Sequence, residues 1–187
     1  MTTAQIKALQ IRIGATPDGF WGLKSIGSCQ AHLRVRMPTA NPWPAQDEAS
    51  LLAFYGHPGD ENQHVAIDVS GLGVCYEGSP VNTVRCHRKV APSLLRILTK
   101  ISASPYAYVL AHYDGCYNDR PMRGGTLPSL HSRAAAIDLF DAENGNLVHW
   151  PMVATMPIEV MEIFAAEGWL PAGPFWGRDG AHFQATR

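Results

Sequence analysis

The 187-residue chain has no excess of either charge: 15 basic and 16 acidic side chains leave it at −1. So weak a field does not gather a nucleic-acid backbone by broad attraction. Its one basic cluster, Arg85 to Lys89 (RCHRK), reads as a solvated face, so no nucleic-acid partner is expected. Long apolar runs are missing too. Nothing approaches the roughly 18 consecutive apolar residues of a membrane span, which argues against membrane insertion. The four cysteines (Cys29, Cys75, Cys86, Cys116) form no C-x-x-C pair, so a cysteine-held zinc is not expected. The opening stretch MTTAQIKALQIRIG lacks the basic segment, apolar run and small-residue cleavage site of an export signal. The expectation is a monomer made in a reducing cytoplasm with free thiols, which needs a separate release route to act elsewhere. Internal repeats and low-complexity tracts are absent, and 46% hydrophobic against 17% charged residues excludes general disorder.

What is present fills one well-cored domain with a small appendage. Ile6, Leu9 and Ile13, then Ile26, Cys29 and Leu33, recur at helical spacing, so residues 1–35 read as a helical unit. Between the two runs TPDGFWG is a turn, with Pro17 fixing φ and Gly19 and Gly22 permitting left-handed geometry. RMPTANPWPAQDE (36–48) carries three prolines and reads as a linker, leaving 49–187 as the main domain. There, EASLLAFYG is a short helix stopped by glycine, and HVAIDVSGLGVCY is a strand with a turn. APSLLRILTKISAS is an amphipathic helix whose apolar face is Leu94, Leu95, Ile97, Leu98 and Ile101. YAYVLAHY and AAAIDLF follow as strands, PIEVMEIFAAEGW as a helix and AHFQA as a last strand. No regular βαβ rhythm emerges, which favours an α+β fold.

One stretch spends polar residues where a plain hydrophobic strand would serve: SLHSRAAAID (129–138). With AAAIDLF extended, Asp138 shares a face with Ala136 and Ala134, while Ile137 and Leu139 point into the core. His131 reaches Asp138 only if the HSR segment bends. A lone buried aspartate is costly, so Asp138 is expected to have a cationic partner. WGRDGAHFQ supplies a second pair, Asp179 and His182, with Gly180 allowing a turn between them. Two histidines and two aspartates match a hydrolytic zinc site: two His and one carboxylate as ligands, one open position, and a free carboxylate as general base. The other histidines (His32, His57, His64, His87, His112, His149) read as ordinary core or surface residues, and Trp176 as core.

SLHSRAAAID resembles the S-x-H-x-x-G-x-A-x-D signature of the zinc D-alanyl-D-alanine carboxypeptidase and L-alanyl-D-glutamate peptidase family. DGAHFQ resembles that family's D-x-x-H-[FVW] ending, and GCYNDRPMRGG (115–125) the G-x-Y-x-x-R-x-x-R-G segment of its bacteriophage endolysin members. The three motifs cover about residues 105–187. The resemblance implies a Hedgehog/DD-peptidase-like domain with zinc held by His131, Asp138 and His182, and Asp179 as the catalytic carboxylate. It also places Ser129 and one of Arg120 or Arg123 near the substrate, though a structural ion pair is an equal reading of either arginine. Ala134 departs from the pattern, standing where the family usually has glycine, so its methyl is expected to narrow the site or shift the backbone. The activity implied is hydrolysis of an amide bond in peptidoglycan stem peptides, as an L-Ala-D-Glu endopeptidase. D-Ala-D-Ala carboxypeptidase activity and a non-catalytic wall-binding role are the alternatives. ALQ…G…PDGFWG at the N-terminus resembles half of a peptidoglycan-binding helical repeat. That segment then adds wall affinity, and a fragment starting near residue 40 stays folded; a hairpin packed on the main domain is the other reading.

Overall fold

In the computed structural model, which describes residues 1–187, the first helix starts where its backbone donors find partners. Thr2 and Gln5 form a capping box at the head of α1 (Thr3–Arg12). Buried Gln10 then shares its amide hydrogens among Asp18 Oδ1, the Phe20 carbonyl and Ser25 Oγ at 2.8–3.0 Å. This ties the TPDGFWG turn to both α1 and α2 (Leu23–Arg34). Asp47 caps α3 (Glu48–Tyr55), and Gly56 ends it at φ 84°.

β1 (His64–Asp68), β2 (Cys75–Tyr76), β3 (Ser79–Pro80) and β4 (Thr83–His87) pair as two small antiparallel ribbons, β1 with β4 and β2 with β3. α4 (Ala91–Ser102) buries Leu94, Ile97, Leu98 and Ile101, an i, i+3, i+4, i+7 stripe. Leu95 lies off that stripe and is exposed, contrary to the face expected from sequence. The expected strand over 106–113 is a 3₁₀ helix, Ala107–His112. Adjacent Val109 and Leu110 are both buried there.

The chain continues through β5 (Tyr113–Gly115), β6 (Ala136–Leu139), α5 (Asp141–Asn144), α6 (Ile158–Ala166), β7 (Leu170–Pro171), α7 (Ala172–Trp176) and β8 (His182–Gln184). The main sheet runs β5-β6-β8-β7. Every strand pairing in the molecule is antiparallel, so the fold is α+β. No helix is long and apolar enough to cross a membrane. No disulfide is present, and Cys29, Cys86 and Cys116 are buried thiols.

Residues 1–35 share one hydrophobic core with the rest: Leu9, Ile13, Cys29 and Leu33 belong to the same buried cluster as Ile97 and Phe164. Arg12 bonds Glu159 at 3.1 Å and Glu162 at 2.7 Å, and His32 Nε2 meets Glu162 at 2.6 Å. Trp21 packs edge-on against Trp150. The proline-rich segment 36–48 is a packed strap. Trp43 is buried and donates from Nε1 to the Glu167 carbonyl at 2.8 Å, and the Arg187 N–H donates to the Pro44 carbonyl.

Candidate metal centre

Three local devices bring distant side chains together. Ser129 Oγ accepts from the His131 N–H and starts a 3₁₀ turn, Leu130–Arg133. Ala134 closes that turn at φ 49°, and the bend swings His131 over β6. The strand starts only at Ala136, so Ala134 does not share a strand face with Asp138. The second device is register. Asp138 and His182 are direct cross-strand partners on β6 and β8, which places their side chains side by side on one face. The third is the loop before β8, where Asp179 itself takes the left-handed conformation (φ 61°) and its carbonyl accepts from the His182 N–H at 3.0 Å. Gly180, expected to supply that turn, does not have positive φ. An added Cβ there would meet Trp150 at 3.4 Å and Asn144 at 3.5 Å, ordinary contact distances.

The result is a tight triangle. His131 Nε2 lies 3.1 Å from His182 Nδ1, and Asp138 Oδ1 lies 3.2 Å from the first and 2.9 Å from the second. The outward nitrogens have partners of their own: His131 Nδ1 meets the Cys116 carbonyl at 2.9 Å, and His182 Nε2 meets Gln184 Oε1 at 3.1 Å. Both partner atoms are acceptors, so the tautomer that satisfies them puts each ring's proton on the outward nitrogen and leaves the inward nitrogen a bare lone pair. In that tautomer two nitrogen lone pairs and a carboxylate point at one another and repel unless a proton or a metal ion joins them. Their ligand atoms all lie within 4.8 Å of one another, and the set can hold a metal ion.

Burial pushes the Asp138 carboxyl up, but His131 and His182 more than offset this and hold it well below the usual carboxylate range. Burial pushes His182 down, and Asp138 with Asp179 reverses the sign, so its pKa ends above the ordinary histidine value. Asp179 stands apart from the triangle. Burial raises its pKa, opposed by His182 and reinforced by Asp138 and Asp141.

Asp179 lines a cavity of about 280 Å³ together with the three triangle residues, Arg120, Arg123 and Ser129. A second cavity of about 340 Å³ shares His131, Asp138, Arg120 and Arg123 and continues past Tyr76, Tyr113 and Tyr117. The triangle thus lies where two halves of one cleft meet. Neither arginine makes an ion pair: Arg120 donates only to the Pro121 carbonyl, and both guanidinium groups face the cleft. The methyl of Ala134 is fully buried and lines neither half, so it does not narrow the site.

Trp176, read from sequence as core, is 41% exposed and stacks on His182 with ring centroids 5.3 Å apart. Arg178 and Asp141 also line the cleft and had no sequence signal beyond proximity to the D-x-x-H segment. Gln184 did have one: two residues beyond His182 on a strand, it must share that residue's face. Comparisons of this chain with protein-family models, curated proteins and solved structures found no match.

Proposed function

We propose that the chain is a zinc-dependent peptidoglycan peptidase of the endolysin type, with a Hedgehog/DD-peptidase-like fold, that cuts the L-Ala-D-Glu amide within stem peptides. The observation that carries this reading is the triangle of His131, Asp138 and His182 with a separate carboxylate, Asp179, in the same cleft. His131, Asp138 and His182 would hold the zinc, and their two-imidazole, one-carboxylate chemistry suits that ion. Zinc bound there supplies Lewis acidity to a carbonyl oxygen and acidifies water towards neutral pH.

Asp179 receives the proton of the attacking water and delivers it to the leaving amine. Its raised pKa keeps it basic enough for the first transfer and acidic enough for the second. Arg120 and Arg123, free of ion pairs, offer planar two-pronged donors to the carboxylates that stem peptides carry. Ser129 positions His131 from below, through its cap on the turn. A cleft continuing on both sides of the triangle suits cleavage inside a peptide better than trimming of a terminal D-alanine. Residues 1–35 expose Phe20 and Leu23 and add affinity for the same polymer. Action on the wall then follows release from the cytoplasm in which the chain is made.

Digestion of purified peptidoglycan, with new amino termini identified by mass spectrometry, tests the reading. Free D-glutamyl amino termini that vanish on chelation and return with zinc are the expected result. Release of free D-alanine would assign a carboxypeptidase instead. Binding to the polymer with no new termini would mean a wall-binding protein without catalysis.

A further inference from the structure

The two imidazoles of the triangle are oriented by unlike partners. His131 is fixed by a main-chain carbonyl, that of Cys116, which offers only an acceptor. His182 is fixed by Gln184, whose amide has an acceptor on one arm and a donor on the other. One step further out, Gln184 Nε2 donates to Thr186 Oγ1 at 2.7 Å, a contact that holds the amide with Oε1 towards His182. All three side chains are buried. The backbone beneath them is pinned: Tyr55 donates its hydroxyl to the Ala185 carbonyl at 2.6 Å, and the Ala185 N–H donates to the Ala135 carbonyl at 3.0 Å.

We propose that Gln184, oriented by Thr186, is a positioning residue that selects the His182 tautomer with Nδ1 bare, and thereby sets how tightly the triangle holds a divalent metal. The metal half of this inference rests on the reading given under Proposed function. Asp138 works against that tautomer. Its Oδ1, 2.9 Å from Nδ1, would accept a proton placed there, and the triangle would then close on a hydrogen bond with no need of a cation. Turning the Gln184 amide over would favour that closed form, because its NH₂ would face Nε2. The amide thus decides between a metal-ready and a proton-closed cluster. A partner on the outer nitrogen of a histidine ligand typically changes metal affinity by about 10- to 100-fold.

The test uses the full chain and two readouts. In the metal-free protein, imidazole ¹⁵N chemical shifts should show the His182 proton on Nε2 in the wild type. In Gln184→Leu it should move to Nδ1. Zinc dissociation constants should rise about 10- to 100-fold in Gln184→Leu and less in Thr186→Val, and Gln184→Glu, which can only accept, should restore tight binding. Should Gln184→Leu fail to fold, Thr186→Val carries the test alone, since it leaves Gln184 in place. A wild-type proton on Nδ1, or unchanged zinc affinity in both Gln184→Leu and Thr186→Val, overturns the proposal. Failure of the wild type to bind zinc overturns the metal-centre reading and the affinity half with it, while the ring shifts still decide whether Gln184 selects the tautomer.

Discussion

Two aspartates line one cavity, yet they sit in opposite fields. Asp138 is flanked by two histidines that hold it ionised, whereas burial dominates at Asp179 and favours its protonated form. Replacing each by asparagine should therefore separate binding from chemistry. Asp179→Asn keeps the triangle, so metal content should persist while hydrolysis falls by about 100- to 10,000-fold, the usual contribution of a general acid–base group. Asp138→Asn removes the negative charge from the triangle, and metal content itself should fall. Metal analysis and activity on the same two samples decide the matter; zinc lost from Asp179→Asn but kept in Asp138→Asn would invert the assignment. Ala134 poses a different question, since its left-handed backbone at φ 49° costs about 1–2 kcal/mol for a non-glycine residue. Ala134→Gly removes that strain. It also gives up about 0.8 kcal/mol of methyl burial and about 0.4–1 kcal/mol through a freer unfolded chain. These offset, so stability should change by less than about 1 kcal/mol with zinc affinity unaltered. A large gain in either would mean that the methyl does strain the site.

At the scale of elements, the segment between Arg120 and Ser129 is a small hairpin. Pro121 bridges Pro128, the Met122 N–H donates to the Leu127 carbonyl at 2.8 Å, and the Ser129 N–H donates to the Arg120 carbonyl at 3.0 Å. Its exposed tip carries Arg123, so the two unpaired guanidinium groups reach the cleft from one support. Arg123→Ala should raise KM about tenfold or more for substrates bearing a carboxylate beside the scissile bond, with little change in kcat, as loss of uniform binding predicts. Amidating that carboxylate should abolish the difference; an equal loss on the amidated substrate would assign Arg123 a structural role instead.

Elements whose signals are local were legible from the residues: the Gly56 stop of α3, the stripe of α4, the apolar half of β6. The triangle was legible because its three side chains fall in two short segments, and register sets Asp138 beside His182. What escaped depends on tertiary placement. Residues 107–112 carry no decisive period, and packing of Val109 and Leu110 selects a 3₁₀ helix. Trp176 is apolar by composition, yet a five-residue helix aims it across His182 into the cleft. At the turn before β8 a glycine adjacent to an aspartate pointed to the glycine, while the left-handed residue is the aspartate.

At the scale of the whole molecule, the N-terminal helices and the rest of the fold are joined by apolar packing and by two carboxylates of α6, Glu159 and Glu162. Leu9, Ile13, Cys29 and Leu33 are buried in the common core, and fully burying a residue such as leucine or isoleucine contributes about 1.5–3 kcal/mol. Losing several of them approaches the entire 5–15 kcal/mol stability of an ordinary domain. A fragment beginning at residue 36 should therefore lose cooperative thermal unfolding, against the separable unit its linker-like sequence suggests; a sharp transition near that of the full chain would refute this.

Glu162 of α6 belongs to the polar half of the joint, bonded to Arg12 and His32 and close to Arg36. Burial pushes its carboxyl up, but the hydrogen bonds from Arg12 and His32 outweigh this and leave its pKa below the ordinary value. A carboxylate depressed on folding contributes stability that is fully present above its unfolded pKa of about 4.3 and is lost as pH falls through the folded value. Glu162→Gln should accordingly be less stable than the wild type at pH 7. The two should converge as pH drops below about 4, because the neutral amide has no such contribution to lose. Urea unfolding of both proteins from pH 7 to pH 3 measures this directly. Parallel pH profiles would show that the charge on Glu162 does not link the two halves, leaving the junction to apolar packing and the remaining polar contacts, Arg12 with Glu159 and Gln30 with the Pro174 carbonyl.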